Sequence, residues 1–293
     1  MTNPLPDIRH DALMLTRRSR LILFVCLALL GYIITGLLTT VLIYKFGAES
    51  ARILRVAAIA QDIFALIAPA VITAMMITRL PAELLELRGG VKKKMWMLSL
   101  AVIIVAAPAM NCVIDFNQNL DATGALSPIA DKLRSMEENA SLMIERMQGN
   151  GSWTDLLMNI LIIGIAAGVS EELFFRGCLQ RLLTTGGVNT HAAVWIAAAV
   201  FSTVHMQFFG FLPRLLLGAY FGYLLVWGRS VWLPAGAHAL NNSIYVVAMW
   251  LYKREGTPEL TVDNIGLGDT WPVALLSLAA TMWLIARIRR LRR

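Results

Sequence analysis

Apolar residues dominate this chain in eight runs, each bounded by a short polar or charged stretch. Long apolar runs that carry few charges predict helices that cross a membrane. The pattern therefore predicts an all-α, polytopic membrane protein with eight transmembrane helices around an intramembrane polar cavity. The runs cover residues 21–44, 54–78, 95–114, 153–183, 191–208, 214–227, 231–252 and 270–286.

Basic residues cluster at three places along this pattern and indicate its orientation. They precede the first run, fill the connection 79–94 and follow the last run in the tail 287–293. Lysine and arginine mark cytoplasmic segments. We therefore expect both termini in the cytoplasm, and an even number of crossings agrees because it returns the chain to its starting side. The first run is too long for the core of a signal peptide and is interpreted as a membrane helix.

The longest polar segment, residues 115–153, lacks this positive excess and is expected on the outer side. Apolar residues recur within it at steps of three and four. That spacing predicts an amphipathic helix, lying on the outer face or against the bundle. The apolar positions are Ile129, Leu133, Met136, Ala140, Met143 and Met147.

The chain is interpreted as one membrane domain in three parts. Residues 1–152 supply three transmembrane helices and the amphipathic outer segment. Residues 153–252 supply the core helices, and residues 253–293 supply an outer loop, the last helix and the basic tail. The middle part is expected to hold the functional site.

Composition agrees with a membrane protein, because 57% of the 293 residues are hydrophobic and only 15% are charged. The mean hydropathy is +0.64. The net charge of +7 sits at the ends of the apolar runs, so the bilayer is the expected partner and nucleic acid is not. Cys26, Cys112 and Cys178 fall in or beside separate runs, which favours small buried side chains over a disulfide framework.

Two pairs of glycines lie four residues apart in the core runs. Gly164 and Gly168 form one pair, and Gly218 and Gly222 form the other. Small residues at this spacing let a neighbouring helix approach closely. We expect each pair to mark a helix–helix contact.

The fourth run holds an unusual group of charges, Glu171-Glu172-Leu173-Phe174-Phe175-Arg176. Ionisable residues within a membrane span are rare and are functional candidates by default. Glu172 and Arg176 are four residues apart and share a helix face, where they can neutralise each other. Glu171 lies about 100° around the helix and is left without that partner. The alternative is a helix end whose charges reach water.

Two later apolar runs also carry polar groups that can face the interior of the helix bundle. The fifth run ends in Phe201-Ser202-Thr203-Val204-His205, and the seventh contains His238 and Asn242, four residues apart on one face. A single histidine in an apolar helix is more often a structural residue than a catalytic one. Unpartnered polar groups in a membrane cost several kcal/mol each, so three helices that all carry them are expected to share a partly wet cavity.

These residue types suit hydrolysis of an amide by water. A glutamate takes a proton from the water, and a histidine orients the water or holds a metal that acidifies it. A second histidine and an asparagine supply donors for the oxyanion. No serine or cysteine is paired with a histidine in a nucleophile motif, and there is no H-E-x-x-H.

The three motifs E-E-x-x-x-R, F-x-x-x-H and H-x-x-x-N occur here in this order on separate late runs. Together they resemble the CPBP family of CAAX prenyl endopeptidases and bacteriocin-processing or bacteriocin-immunity membrane proteins. The resemblance covers residues 156–249. It implies that Glu171 activates the water, with Glu172 and Arg176 as its supporting pair.

The same resemblance implies that His205 shares the water and that His238 and Asn242 lie on the oxyanion side. It allows both a zinc-dependent and a metal-free mechanism, and zinc would be held by Glu171, His205 and His238. We favour metal-free chemistry. Counting along the helices places His205 nearer the outer side than Glu171, so the helices must be offset or tilted for the groups to meet.

The predicted function is that of an intramembrane endopeptidase of the bacterial inner membrane. Its substrate would be a peptide or protein, prenylated or otherwise membrane-associated. One alternative is a non-catalytic membrane protein for binding or self-immunity. A less favoured one is a transporter of a small solute or of protons, which would use Asp62 and the carboxylates Glu171 and Glu172 as a relay. For Asp62 itself we favour a structural role, either paired with a neighbouring helix or lining a cavity.

Overall fold

The computed structural model describes residues 15–47, 50–120, 130–255 and 264–292, and every regular element in these parts is helical. The predicted all-α class is confirmed. Short 3-10 turns precede α9 and α11. The helices are α1 (Arg17–Phe46), α2 (Ala51–Ile77), α3 (Pro81–Leu84), α4 (Lys93–Val105), α5 (Ala107–Gln118), α6 (Ala130–Met147), α7 (Trp153–Thr185), α8 (Thr190–Val204), α9 (Phe211–Gly228), α10 (Trp232–Glu255) and α11 (Trp271–Arg290).

Each of the eight predicted runs coincides with helix, but fewer helices are long and apolar enough to cross a membrane alone. Within the described ranges α1, α2, α7, α9 with its preceding turn, and α11 with its preceding turn meet both conditions. The pair α4 and α5 adds a sixth span if its 48° bend is one broken crossing. Pro108, in the first turn of α5, explains the bend because proline cannot donate a backbone hydrogen bond.

The two remaining predicted spans, α8 and α10, differ from the others in length or polarity. Helix α8 has only 15 residues. Helix α10 has 24 residues, but His238, Asn241 and Asn242 lower its hydropathy. These are the helices that bring the later motifs to the interior.

Helices α2 and α7 both contain π-helical segments, which the sequence pattern did not predict. One covers Asp62–Ile67 in α2, and two cover Ile160–Ala166 and Leu173–Gln180 in α7. A π-helical turn shifts the side chains that follow it around the helix and is frequent at functional sites. Here the segments lie on both sides of the Glu171–Glu172 pair.

The glycine pairs allow close helix packing, as predicted. A Cβ atom at Gly168 would lie 2.9 Å from the backbone nitrogen of Ala239 in α10, and one at Gly164 would collide with the Ser243 hydroxyl. A Cβ atom at Gly222 would lie 2.8 Å from Oε1 of Gln180 in α7. The pairs therefore set the spacing of α7 against α10 and of α9 against α7 and α8.

The predicted amphipathic helix is confirmed as α6, although its first apolar position, Ile129, lies outside the described residues. Helix α6 contacts α2 and the turn before α9, where Glu137 accepts a hydrogen bond from Gln207 at 3.3 Å.

The three cysteines are free, and only Cys178 is fully buried. The prediction of a buried side chain is wrong for Cys26, which is exposed on the surface of α1.

Candidate active site

Glu172 and Arg176 form an ion pair in the interior of the protein. The Arg176 Nη1 atom lies 2.6 Å from Glu172 Oε1, and neither side chain has any exposed surface. The Arg176 Nη2 atom donates to the carbonyl oxygen of Gly218 at 2.9 Å. The predicted pairing is confirmed. The alternative, that these charges reach water, does not fit Glu172 and Arg176.

Three aromatic rings surround the Arg176 guanidinium. Its central carbon lies 4.7 Å from the ring centre of Phe201, 5.5 Å from that of Phe221 and 5.9 Å from that of Phe175. Such contacts attract a cation, and more strongly where water is absent. The arginine is therefore fixed in place by a carboxylate, a carbonyl and three rings.

His238 connects the two glutamates. Its Nδ1 atom lies 2.9 Å from Glu172 Oε1, and its Nε2 atom lies 3.6 Å from Glu171 Oε2. An ionised carboxylate only accepts hydrogen bonds, so we assign a proton to Nδ1. The ring stacks on Phe221 with centres 4.8 Å apart. His238 is thus fixed on one edge and presents Nε2 to Glu171.

Glu171 is the more accessible of the two adjacent carboxylates. Its side chain is 18% exposed, whereas that of Glu172 is fully buried. As predicted, it makes no ion pair with an arginine among the described residues, and its Oε2 atom lies 3.6 Å from Nε2 of His238. Glu171 is therefore the carboxylate in this pair that a water molecule can approach.

His205 lies at the end of α8 and reaches the same region through Phe201. Its Nδ1 atom is 2.7 Å from the Phe201 carbonyl oxygen, which only accepts, so Nε2 carries the free lone pair. The Phe201 ring contacts both histidines, with centres 4.8 Å from His205 and 5.8 Å from His238. Glu171 and His238 are close enough to act electrostatically on His205. The sequence required these helices to be offset or tilted. The structure shows instead a short α8 that ends at Val204, so that His205 directly follows its last turn.

Asn242 lies one turn beyond His238 on α10. Its Nδ2 atom donates to the carbonyl oxygen of Ile163 at 3.2 Å, within a π-helical segment of α7. Its Oδ1 atom accepts a hydrogen bond from Asn241 at 3.3 Å. Within the described ranges no hydrogen bond joins Asn242 to either glutamate. One amide hydrogen of Asn242 has no acceptor there.

Asp62 and Ser170 form a contact that the sequence did not identify as a pair. The Ser170 hydroxyl lies 2.7 Å from Asp62 Oδ1, and both residues are buried. Ser170 directly precedes Glu171 in the chain. Of the two structural alternatives for Asp62, this contact supports pairing with a neighbouring helix. The sequence signal for it was a carboxylate at membrane depth.

Zinc is one group that the sequence resemblance allows. In the described parts of the chain, no three His, Cys, Asp or Glu side chains converge as a metal site requires. Glu171, His205 and His238 thus do not fit a zinc ion in this arrangement.

Residues 153–244 match the family described as Type II CAAX prenyl endopeptidase Rce1-like. This segment carries all three motifs and is consistent with the CPBP family, so the predicted resemblance is confirmed. The apolar helices and this match support an integral membrane protein, and the match covers residues 153–244 of the 293. Neither the curated proteins nor the solved structures gave a match to this chain.

Proposed function

We propose that this protein is an intramembrane endopeptidase in which Glu171 activates a water molecule for attack on a peptide bond. One observation carries the proposal. Glu171 is the accessible carboxylate beside a histidine that a second, buried carboxylate holds in position. The match of residues 153–244 to a CAAX prenyl endopeptidase family supports the same reaction class. The substrate would be a peptide or protein held at the membrane, with a prenylated C-terminal segment as the first class to test.

In the proposed reaction two side chains hold the water, and one of them, Glu171, transfers its proton. The water gives one hydrogen bond to Glu171 and the other to the free Nε2 lone pair of His205. As the water oxygen bonds to the scissile carbonyl carbon, Glu171 takes the proton. The carbonyl oxygen becomes negative on the side of His238 and Asn242, where Asn242 has an unused amide hydrogen. When the C–N bond breaks, the Glu171 carboxylic acid returns the proton to the departing amine.

We further propose that all eight predicted helices cross the membrane, with both termini in the cytoplasm of a bacterial inner membrane. Helices α8 and α10 carry His205 and His238 and pack against α7 and α9. Their polar groups would line the intramembrane cavity of a core formed by residues 153–252. Single cysteines at Arg88 and Arg134, in an otherwise cysteine-free chain, should react with an impermeant thiol reagent from opposite sides. Reaction from the same side would contradict this orientation.

The test of the reaction uses the purified full chain in lipid nanodiscs and farnesylated reporter peptides. Glu171→Gln should lower kcat/KM by about a hundredfold or more, the contribution typical of a positioned general base. Glu138→Gln, at an exposed position in α6, is the matched control and should leave cleavage unchanged. Circular dichroism and gel filtration verify that both variants fold.

The same assay with and without a zinc chelator distinguishes the metal-free mechanism from the zinc-dependent one. Cleavage that survives a strong zinc chelator supports the glutamate–water reaction, whereas loss with chelator and recovery with zinc would contradict it. Full activity of Glu171→Gln would exclude Glu171 as the base. A wild-type chain that cleaves none of the peptides but still binds them would favour a binding protein.

A further inference from the structure

A second polar site lies apart from the candidate active site and shares no residue with it. It is a cavity of about 500 Å³ between the start of α2, the end of α6, the start of α7 and the end of α10. Its lining is unusually basic, with four cationic side chains and one carboxylate. They are Arg52, Arg55, Arg146, Lys253 and Asp155.

Arg55 and Asp155 neutralise each other and form the inner wall. The Arg55 Nη2 atom lies 2.7 Å from Asp155 Oδ1 and 2.8 Å from the Met147 carbonyl oxygen, and Nε donates to Asn159 at 2.9 Å. Both side chains are mostly buried. Asp155 also accepts from Ser152 as part of a helix cap, so it has little capacity left for other cations.

The other three cations leave the cavity with an excess of positive charge. Arg52, Arg146 and Lys253 are exposed, and none makes a hydrogen bond or ion pair through its side chain with any described residue. They come from three different helices, so no single helix face explains their meeting. Like charges gathered at one concave surface raise the local concentration of anions.

The first turn of α2 adds to this charge. Ser50, the residue that precedes α2, lines the cavity but makes no capping hydrogen bond to the helix. The first N–H groups of a helix have no partner within the helix and carry its positive dipole end. The cavity therefore combines three cationic side chains with backbone donors, which is the chemistry of a phosphate site.

The surroundings of the cavity indicate where the phosphate comes from. Trp153 and Trp250, next to the lining, have ring centres 4.6 Å apart, and Trp250 donates to the Gly151 carbonyl oxygen at 2.8 Å. Tryptophans of membrane proteins concentrate at the level of the lipid headgroups. Leu157 and Leu161 follow on α7 and are 62% and 54% exposed, as acyl chains would require.

We propose that this cavity binds the phosphate of an anionic phospholipid, with the acyl chains lying along the exposed apolar surface of α7 and α2. Arg52, Arg146 and Lys253 would contact the phosphate, and Arg55 would hold the inner wall. The proposal does not depend on the proteolytic function. A free phosphate ion shares the same headgroup chemistry, and the test below separates the two.

The test measures lipid binding to the purified full chain by native mass spectrometry and by the shift of its thermal unfolding temperature. The probes are phosphatidylglycerol, zwitterionic phosphatidylcholine and inorganic phosphate. The wild-type chain should retain phosphatidylglycerol in preference to phosphatidylcholine. The variant Arg52→Gln/Arg146→Gln/Lys253→Gln should bind it at least about tenfold more weakly, because each cation near a membrane surface contributes to anionic lipid binding.

A matched control removes three exposed cations outside the cavity, Lys45→Gln/Lys132→Gln/Arg134→Gln, and should change binding less than about twofold. The variant Arg52→Lys/Arg146→Lys keeps the charge and should keep the preference. If both triple variants bound phosphatidylglycerol equally weakly, binding would depend on diffuse surface charge and not on the cavity, and the proposal would be overturned. Unchanged binding in the cavity variant would do the same. Stabilisation by inorganic phosphate that equals that of phosphatidylglycerol would replace the lipid with a soluble anion.

Discussion

Glu172 and His238 are 66 residues apart in the chain, yet Glu172 Oε1 lies 2.9 Å from His238 Nδ1. The same oxygen accepts a hydrogen bond from Arg176 at 2.6 Å. One buried carboxylate atom thus joins α7 to α10 and fixes which edge of His238 faces Glu171. In the proposed reaction Glu172 is a positioning residue, because it acts through His238.

Glu172→Gln should separate this positioning role from substrate binding. The amide has nearly the same shape but lacks the charge, and hydrogen bonds to charged groups contribute about 1.5–3 kcal/mol. We expect kcat to fall by about tenfold or more, with KM changed little, since the interaction acts on the transition state. The variant also leaves Arg176 without its buried partner. Both constants are therefore measured by steady-state cleavage of a farnesylated peptide under conditions where circular dichroism shows that the variant is folded. A rise in KM of the same size, with kcat unchanged, would instead assign Glu172 to substrate binding.

Removing Arg176 should destabilise the protein strongly. A buried ion pair that loses one partner leaves an uncompensated charge, at a cost of about 3–5 kcal/mol. Unfolding of Arg176→Gln in mixed micelles, followed by circular dichroism, measures the change. The double variant Glu172→Gln/Arg176→Gln should recover part of this stability. The control Arg134→Gln, at an exposed position on α6, should unfold like the wild type.

Asp62 and Ser170 should show an energetic coupling in a double-mutant cycle. Their hydroxyl–carboxylate contact is buried and measures 2.7 Å. We expect Asp62→Ala and Ser170→Ala each to lower the free energy of unfolding, and the cycle to give a coupling of about 1.5–3 kcal/mol. Additive losses would show that the contact is not formed. A coupling would also support a structural role for Asp62 over the relay of a transporter.

Gly168→Ala should weaken the packing of α7 against α10. The added methyl group would lie 2.9 Å from the backbone nitrogen of Ala239, which cannot yield as a flexible side chain would. We expect a loss of about 1–3 kcal/mol of unfolding free energy, the usual cost of overpacking. Gly36→Ala on α1 is the matched control, since nothing lies within 4 Å of its added methyl group. Equal stability of the two variants would mean that α7 and α10 are more loosely packed.

The local relationships in the site were predictable from spacing alone. Glu172 and Arg176 pair because four residues bring side chains onto one helix face, and Gly168 allows close approach because it has no side chain. The position of every apolar run followed from hydropathy in the same way. Each of these features depends on one helix only.

The relationships between helices were not predictable, because spacing along one helix does not determine which partner it meets. The contact of Glu172 with His238, the stacking of Phe221 on that ring and the Ser170–Asp62 contact all join distant parts of the chain. The π-helical segments were missed as well. An added residue per turn changes which face a side chain occupies, while the hydropathy of the run stays the same.

The local pair of Glu172 and Arg176 also has a consequence for biogenesis. During synthesis α7 emerges before α9 and α10, so Gly218 and His238 are not yet available as partners. An isolated arginine would then resist partition into lipid. Its carboxylate partner lies only four residues earlier, within the same helix, and neutralises it at once. The insertion machinery therefore receives a helix whose buried arginine is already compensated, and the contacts to later helices can form afterwards.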